Sequence, residues 1–219
     1  MKLPSKTLEK KLFQRGYGYI CAVDEVGMGS LAGPVVVCAV GFTKHFYEKT
    51  HRNLRRIRDS KLLQPQQREI FAKELMKEKD LVYAISRCSP KIIDRINIYH
   101  AARLAMRRAV ARASEKVIYR DFSQGAGIVL VDGGTKINGL GTDQIPIIKG
   151  DRKIFAIACA SIIAKVYRDK IMVHYAQKYP GYGFEKHKGY GTEYHKTQLA
   201  SLGLCEIHRK SFAPAAKLI

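Results

Sequence analysis

Two carboxylates that close an apolar strand constrain this chain more than any other feature. Residues 19–23 read YICAV, with the apolar, β-favouring character of a buried strand, and Asp24 and Glu25 follow directly. Charge at that place borders low dielectric and needs a partner to stay ionised. A glycine-rich turn (Gly27, Gly29, Gly33) and Pro34 come next, then a second β-branched run over 35–40. Successive strand side chains point to opposite faces, so both acids aim at one site only if the strand bends there, which Gly27 permits. A divalent cation would offset the burial of two negative charges, and oxygen donors favour Mg²⁺ or Mn²⁺ over Zn²⁺. The same residues also fit the polar start of a surface turn.

The stretch Gly27-Met28-Gly29-Ser30-Leu31-Ala32-Gly33 imitates a dinucleotide-binding fingerprint, which requires a helix after its glycines. Here Pro34 is followed by Val35, Val36 and Val37, a strand signal. Two carboxylates beside the turn would also repel phosphate when no metal is bound. No nucleotide cofactor is expected.

Lysine and arginine total 39 against 19 acids, a formal charge of +20, so nucleic acid is the expected partner. Charge alone fits equally well a non-catalytic basic nucleic-acid-binding protein. It leaves unexplained why acids stand at strand ends in a basic chain. The 219 residues, 46% of them hydrophobic, suffice for one large domain or a domain with a modest appendage. No long apolar run or signal-peptide core occurs, so neither membrane insertion nor secretion is expected. Cys21, Cys38, Cys88, Cys159 and Cys205 are scattered, mostly in apolar runs, and read as small core residues in a reducing, cytoplasmic compartment.

Along the chain, residues 1–16 carry a weak helical pattern (Leu8, Leu12, Phe13), and residues 45–58 are dense enough in charge to suggest a solvated connection. Asp59 and Ser60 read as turn and capping residues, and Lys61 projects toward a bound backbone. Pro65 opens a helix to about 79, a short strand covers 81–87, and Pro90 precedes one long helix over 91–113. A second apolar strand, 128–131, ends in Asp132-Gly133-Gly134, repeating strand, acid and glycine. Were the two strands neighbours, Asp24, Glu25 and Asp132 would lie side by side; alone, Asp132 fits an Asp-Gly turn. A short strand at 145–148 leads to Asp151, placed as the N-cap of a helix over 152–177. On that helix Ser161, Lys165 and Arg168 share one edge, suited to a phosphate backbone. Residues 179–192 form a glycine and tyrosine loop with interleaved cations, as stacking against a nucleic-acid strand requires. Thr192 caps a helix through Leu202, stopped by Gly203. His187, His195 and His208 match no standard zinc-ligand spacing, and no cysteine lies in register.

Taken together, VDEVGMGSLAGPVV, RDSKLL, VLVDGG, KGDRKIFAIACASIIAKVYRD, HKGYGT and HRKSF, in that order over residues 18–213, resemble the ribonuclease HII (type 2 ribonuclease H) family. The resemblance implies an α/β fold, an RNase H-like five-stranded mixed sheet flanked by helices, over 1–178. A small helical C-terminal extension, 179–219, would contact the hybrid duplex. It implies endonucleolytic cleavage of RNA in RNA/DNA hybrids and 5′ of ribonucleotides embedded in duplex DNA, leaving 3′-hydroxyl and 5′-phosphate ends and starting ribonucleotide removal. Asp24, Glu25, Asp132 and Asp151 align with the family's four acids, expected to hold two Mn²⁺ or Mg²⁺ ions in a two-metal mechanism. Gly27, Met28 and Gly29 would offer backbone groups to the 2′-hydroxyl. Lys61, Ser161 and Lys165 would meet phosphates, and Tyr190 would stack on the sugar at the RNA-to-DNA junction. Met28 departs from the Arg or Lys usual between those glycines, which removes an expected phosphate contact. A monomer is expected.

Overall fold

Alternation of side chains along two buried strands sets the architecture. The structure is a computed structural model and describes residues 3–49, 51–54, 56–119 and 125–217. Helix α1 (Thr7–Gln14) leads into two antiparallel strands, β1 (Tyr19–Val26) and β2 (Val35–Thr43). After α2 (Lys44–Glu48) and α3 (Pro65–Lys77), strand β3 (Leu81–Cys88) pairs antiparallel with β2. Helices α4 (Pro90–Ile96) and α5 (Ile98–Tyr119) then lead to β4 (Gly127–Asp132) and β5 (Asp143–Ile147), which continue the sheet in parallel from β1. The remaining helices are α6 (Gly150–Lys153), α7 (Phe155–Lys178), α8 (Phe184–His187) and α9 (Glu193–Leu202). The result is the five-stranded mixed sheet in the order β3-β2-β1-β4-β5, with helices on both faces and a small helical C-terminal extension.

The two faces follow from the two-residue period of a strand. Ile20 and Ala22 of β1 join a cluster with the inner side of α7, whereas Tyr19, Cys21 and Val23 join a second cluster with α5. Ala156, Ala158, Ala160 and Ala164 of α7 are wholly buried, small enough to bring that helix close against the sheet. By the same alternation Asp24 belongs to the α7 face and Glu25 to the α5 face.

Three sequence expectations need correction. The single helix over 91–113 is two helices, because Asn97 adopts a left-handed φ of 60° and its Oδ1 accepts from His100 N at 3.0 Å, starting α5 afresh. Asn tolerates that conformation better than most residues and caps a helix well. The helix over 152–177 is likewise split, since Ile154 is extended and makes a bridge to Ser5, which leaves Asp151 inside α6 and not at the N-cap of α7. Finally, the charged segment over 45–58 is not simply a solvated connection. Phe46, Tyr47, Leu54 and Ile57 are buried in the core, Phe46 packing 4.7 Å from Phe42 between ring centroids. Charge density there concealed four apolar anchors.

Candidate active site

The acids meet because two strands stop pairing one residue before them. The β1–β4 ladder ends at Val23 opposite Val131, so Asp24 and Asp132 stand next to each other at the C-terminal ends of adjacent parallel strands, where open α/β sheets gather their sites. β1 itself continues to Val26 along β2, and the backbone turns only at Gly27, with φ +96°. The expected bend at the acids is thus absent; loss of the parallel neighbour opens the space in its place. Ligand oxygens of Asp24, Glu25 and Asp132 all lie within 4.8 Å of one another. Asp151 is outside that set, yet its charge acts on Asp24 and itself feels Asp132 and Asp59.

Neighbouring groups orient these carboxylates. Asp24 Oδ1 accepts from the Glu25 amide at 2.7 Å, and Asp132 Oδ1 accepts from the Gly150 amide at 2.6 Å. Burial, then the charges of Glu25 and Asp132, hold the Asp24 carboxyl well above the usual range, against hydrogen bonding from Ser161. Glu25 is pushed up to about 7 by burial and by Asp132, with Arg103 and Lys61 pulling the other way. Burial followed by Asp132 and Asp59 also raises Asp151. Three oxygen-donor groups at close range, the carboxyls of Asp24 and Glu25 among them held back from ionising, form a donor set that suits a hard divalent cation.

Beyond the acids, two buried arginines strap the glycine turn into place. Arg168 of α7 donates to Pro34 O at 3.0 Å, Ala32 O at 3.2 Å and Lys188 O at 2.9 Å. Arg209 donates to Gly33 O at 3.1 Å, Met28 O at 2.9 Å and Gly27 O at 2.6 Å. Both side chains are completely buried, and neither pairs with a carboxylate among the described residues. Sequence reasoning placed Arg168 on an edge suited to a phosphate backbone and met Arg209 only within the HRKSF motif. A signal lay in the glycines: a Cβ on Gly27 would come 2.3 Å from Arg168 Nε, so the turn must be glycine for the guanidinium to fit.

The other singled-out residues divide by depth. Ser161 is 2% exposed, its Oγ 3.0 Å from Ser60 Oγ, so it lies beneath Asp24 and not on a surface open to phosphate. Lys165 pairs with Asp169 at 2.7 Å and sits 5.9 Å from the Tyr190 ring centroid. Tyr190 is 36% exposed, and its backbone bridges to Ser30 of the glycine turn. Gly29 is exposed and Met28 half-buried, packed against the apolar cluster on the α5 face. Lys61 is exposed on a turn held by Asp59, whose Oδ1 accepts the Lys61 amide at 2.9 Å while Oδ2 pairs with Arg152 Nε at 2.9 Å.

The histidines meet as well, in the C-terminal extension. His208 Nδ1 accepts the Cys205 amide at 3.0 Å, which leaves its Nε2–H to donate to His195 Nε2 at 3.1 Å. His195 Nδ1 in turn donates to Tyr190 O at 2.9 Å. His187 stacks on His195 with centroids 4.4 Å apart, giving Nε2–H to Tyr182 O at 2.7 Å and accepting Gly189 N at Nδ1. This network assigns one neutral tautomer to each ring and has no room for an added proton between His195 and His208. Burial, then the His195 charge, lowers His208 from 6.5 to about 4. An unfolded His208 therefore takes up a proton that the folded ring refuses. Stability is complete above pH 6.5 and falls between 6.5 and about 4, by on the order of 3 kcal/mol for this ring. Hydrogen exchange over 182–209, corrected for intrinsic rates, should accelerate from pH 7 to pH 5 relative to the sheet. Equal protection at both would contradict the network's role.

With the geometry in view, comparison with known proteins is specific. A family model described as Ribonuclease HII matches residues 21–215. A ribonuclease HII of Caldicellulosiruptor bescii is 47% identical over 94% of this chain and 91% of its own length, and one of Acholeplasma laidlawii is 44% identical over 100% and 99%. Among solved structures, the ribonuclease H2 of Pyrococcus horikoshii superposes with a TM-score of 0.66 at 26% identity, covering 91% of this chain and 96% of that one.

Proposed function

The chain belongs to the ribonuclease HII family and is a ribonuclease H nuclease, and we propose that its acid cluster cuts the RNA strand of RNA/DNA hybrids and, in duplex DNA, the bond 5′ of an embedded ribonucleotide. The observation that carries this reading is the meeting of Asp24, Glu25 and Asp132 oxygens within 4.8 Å at the ends of adjacent parallel strands. Asp24, Glu25, Asp132 and Asp151 would hold two Mg²⁺ or Mn²⁺ ions, which when bound supply a water of lowered pKa and neutralise charge on the leaving oxygen.

The chain's own groups supply placement. Gly150 N and the Glu25 amide fix carboxylate orientation at Asp132 and Asp24, so neither must reorganise during the reaction. Arg168 and Arg209 turn the carbonyls of Gly27, Met28, Ala32, Gly33 and Pro34 inward. In this reading the opposite side of the turn meets the 2′-hydroxyl of the ribonucleotide, which distinguishes RNA from DNA. Tyr190, with Lys165 and Arg168 within 5.9 Å of its ring, offers a partly exposed face to a sugar, the ring held in place by these cations. Lys61 lies close enough to influence Glu25 and Asp151 and would meet the backbone near the cut.

Incubation of a duplex carrying one ribonucleotide with Mg²⁺ or Mn²⁺, followed by mapping of the product ends, tests this proposal. Cleavage 5′ of the ribonucleotide, leaving 3′-hydroxyl and 5′-phosphate, is expected; cutting 3′ of it or cutting of all-DNA duplex would refute it. Met28→Arg should raise activity on the single ribonucleotide several-fold, by restoring a cation beside a phosphate. No gain at matched salt would show that the turn acts through its backbone alone.

A further inference from the structure

On the α5 face of the sheet a cleft of about 210 Å³ is lined by Tyr99, His100, Arg103, Arg107 and Lys136. Arg103 forms its near wall. Its guanidinium donates to Thr135 Oγ1 and lies 5.3 Å from the Tyr99 ring centroid, and the Tyr99 hydroxyl is 3.2 Å from the same Thr135 oxygen. The two residues following Asp132 are glycines, and a Cβ on Gly133 would come 3.9 Å from Arg103 Nη2, so this guanidinium lies beside the backbone next to Asp132. The field of Arg103 already reaches Glu25. Farther out, Arg107 and Lys136 are exposed, and among the described residues none of Arg103, Arg107, Lys136 and His100 pairs with a carboxylate.

Several like charges around one concavity repel each other unless an anion lies among them. An isolated phosphate would need one such cation; a row leading away from a cleavage centre matches a chain of phosphates. We propose that this cleft holds backbone phosphates of the nucleic-acid strand leaving the cut bond, a binding track that starts at Arg103 beside the acids and is separate from Tyr190. The placement rests on the acids being the cleavage centre.

The test uses the full chain with Arg107→Gln and Lys136→Gln combined, two exposed side chains of the cleft. Binding of a labelled hybrid is followed by anisotropy in chelator, so that it does not depend on cleavage. The expected result is a roughly tenfold weaker Kd and a salt slope reduced by about 1 to 2, since each lost phosphate contact removes about 0.9. Shortening the duplex from one end only should weaken the unaltered protein to the level of the variant. A melting temperature and far-ultraviolet circular dichroism matching those of the unaltered protein show that the variant is folded. An unchanged Kd and salt slope would overturn the proposal and assign the cations to some other anion. A loss that ignores which end is shortened would overturn it as well. Failure of the unaltered protein to cleave would instead fault the acid-cluster reading, whatever the binding data give.

Discussion

Asp24→Asn is expected to lower the cleavage rate by roughly three orders of magnitude or more while leaving duplex affinity in chelator within several-fold. The loss follows from position: Asp24 is the acid whose ionisation is opposed by all three of the others, so it sits where their fields converge. Removing its charge takes away several kcal/mol of charge stabilisation in the transition state, about a thousandfold or more in rate. Affinity survives because a formal charge of +20 supplies most of the attraction for phosphate. A second, less intuitive result comes with it. Carboxyl groups whose folded pKa is raised contribute stability below their ordinary value and lose it as pH rises through the folded one. For Glu25 that window runs from 4.5 to about 7, worth on the order of 3 kcal/mol. Metal-free protein at pH 8 should therefore melt below Asp24→Asn, and the gap should narrow at pH 5. Added Mg²⁺ or Mn²⁺ should raise the melting temperature of the unaltered protein at pH 8 and do much less for the variant. Equal apo stabilities at pH 8, or no response to metal, would mean that the three acids do not strain one another as their spacing requires.

How far the sequence led can be seen in these same residues. Asp24 and Asp132 were legible because each ends an apolar run and is followed by glycine, and neighbouring parallel strands put such ends side by side. Less visible was the depth of polar groups. Ser161 and Arg168 recur at helical spacing, which fixes that they share an edge but not that the edge is roofed by the glycine turn and by residues around Lys188. His195 and His208 are separated by intervals that match no metal motif, and their meeting depends on α9 folding back across Phe184, 5.5 Å from His195 between ring centroids. Asn97 shows the opposite error: the apolar stripe continues across it, and periodicity alone favoured one helix where a single left-handed residue makes two. Local chemistry was readable wherever it repeated along the chain. Contacts between distant segments were not, because a buried arginine and a solvated one have the same letter.

Arg209→Ala is expected to destabilise the protein by about 3 to 5 kcal/mol, the range for removing one side of a buried, hydrogen-bonded charge network. The substitution leaves Gly27 O, Met28 O and Gly33 O without their donors in a place water reaches poorly, since the Arg209 side chain is wholly buried. A structural role alone predicts a lower melting temperature and nothing else. A positioning role predicts more. Arg209→Lys keeps the charge, but one ammonium cannot span three carbonyls arranged for a guanidinium fork. It should recover part of the stability while discrimination between an embedded ribonucleotide and a deoxyribonucleotide at the same place stays impaired. Metal affinity, read by thermal shift against Mn²⁺ concentration, should match the unaltered protein, because Asp24, Glu25 and Asp132 draw their orientation from other groups. Gly27→Ala approaches the same contact from its other partner: a Cβ at φ +96° and 2.3 Å from Arg168 Nε forces the turn off its strap. Both variants should therefore share one signature, weakened ribonucleotide selection with metal binding intact. If Arg209→Lys selects ribonucleotides as well as the unaltered protein does, the two arginines hold the fold together and do not shape the turn that meets the substrate.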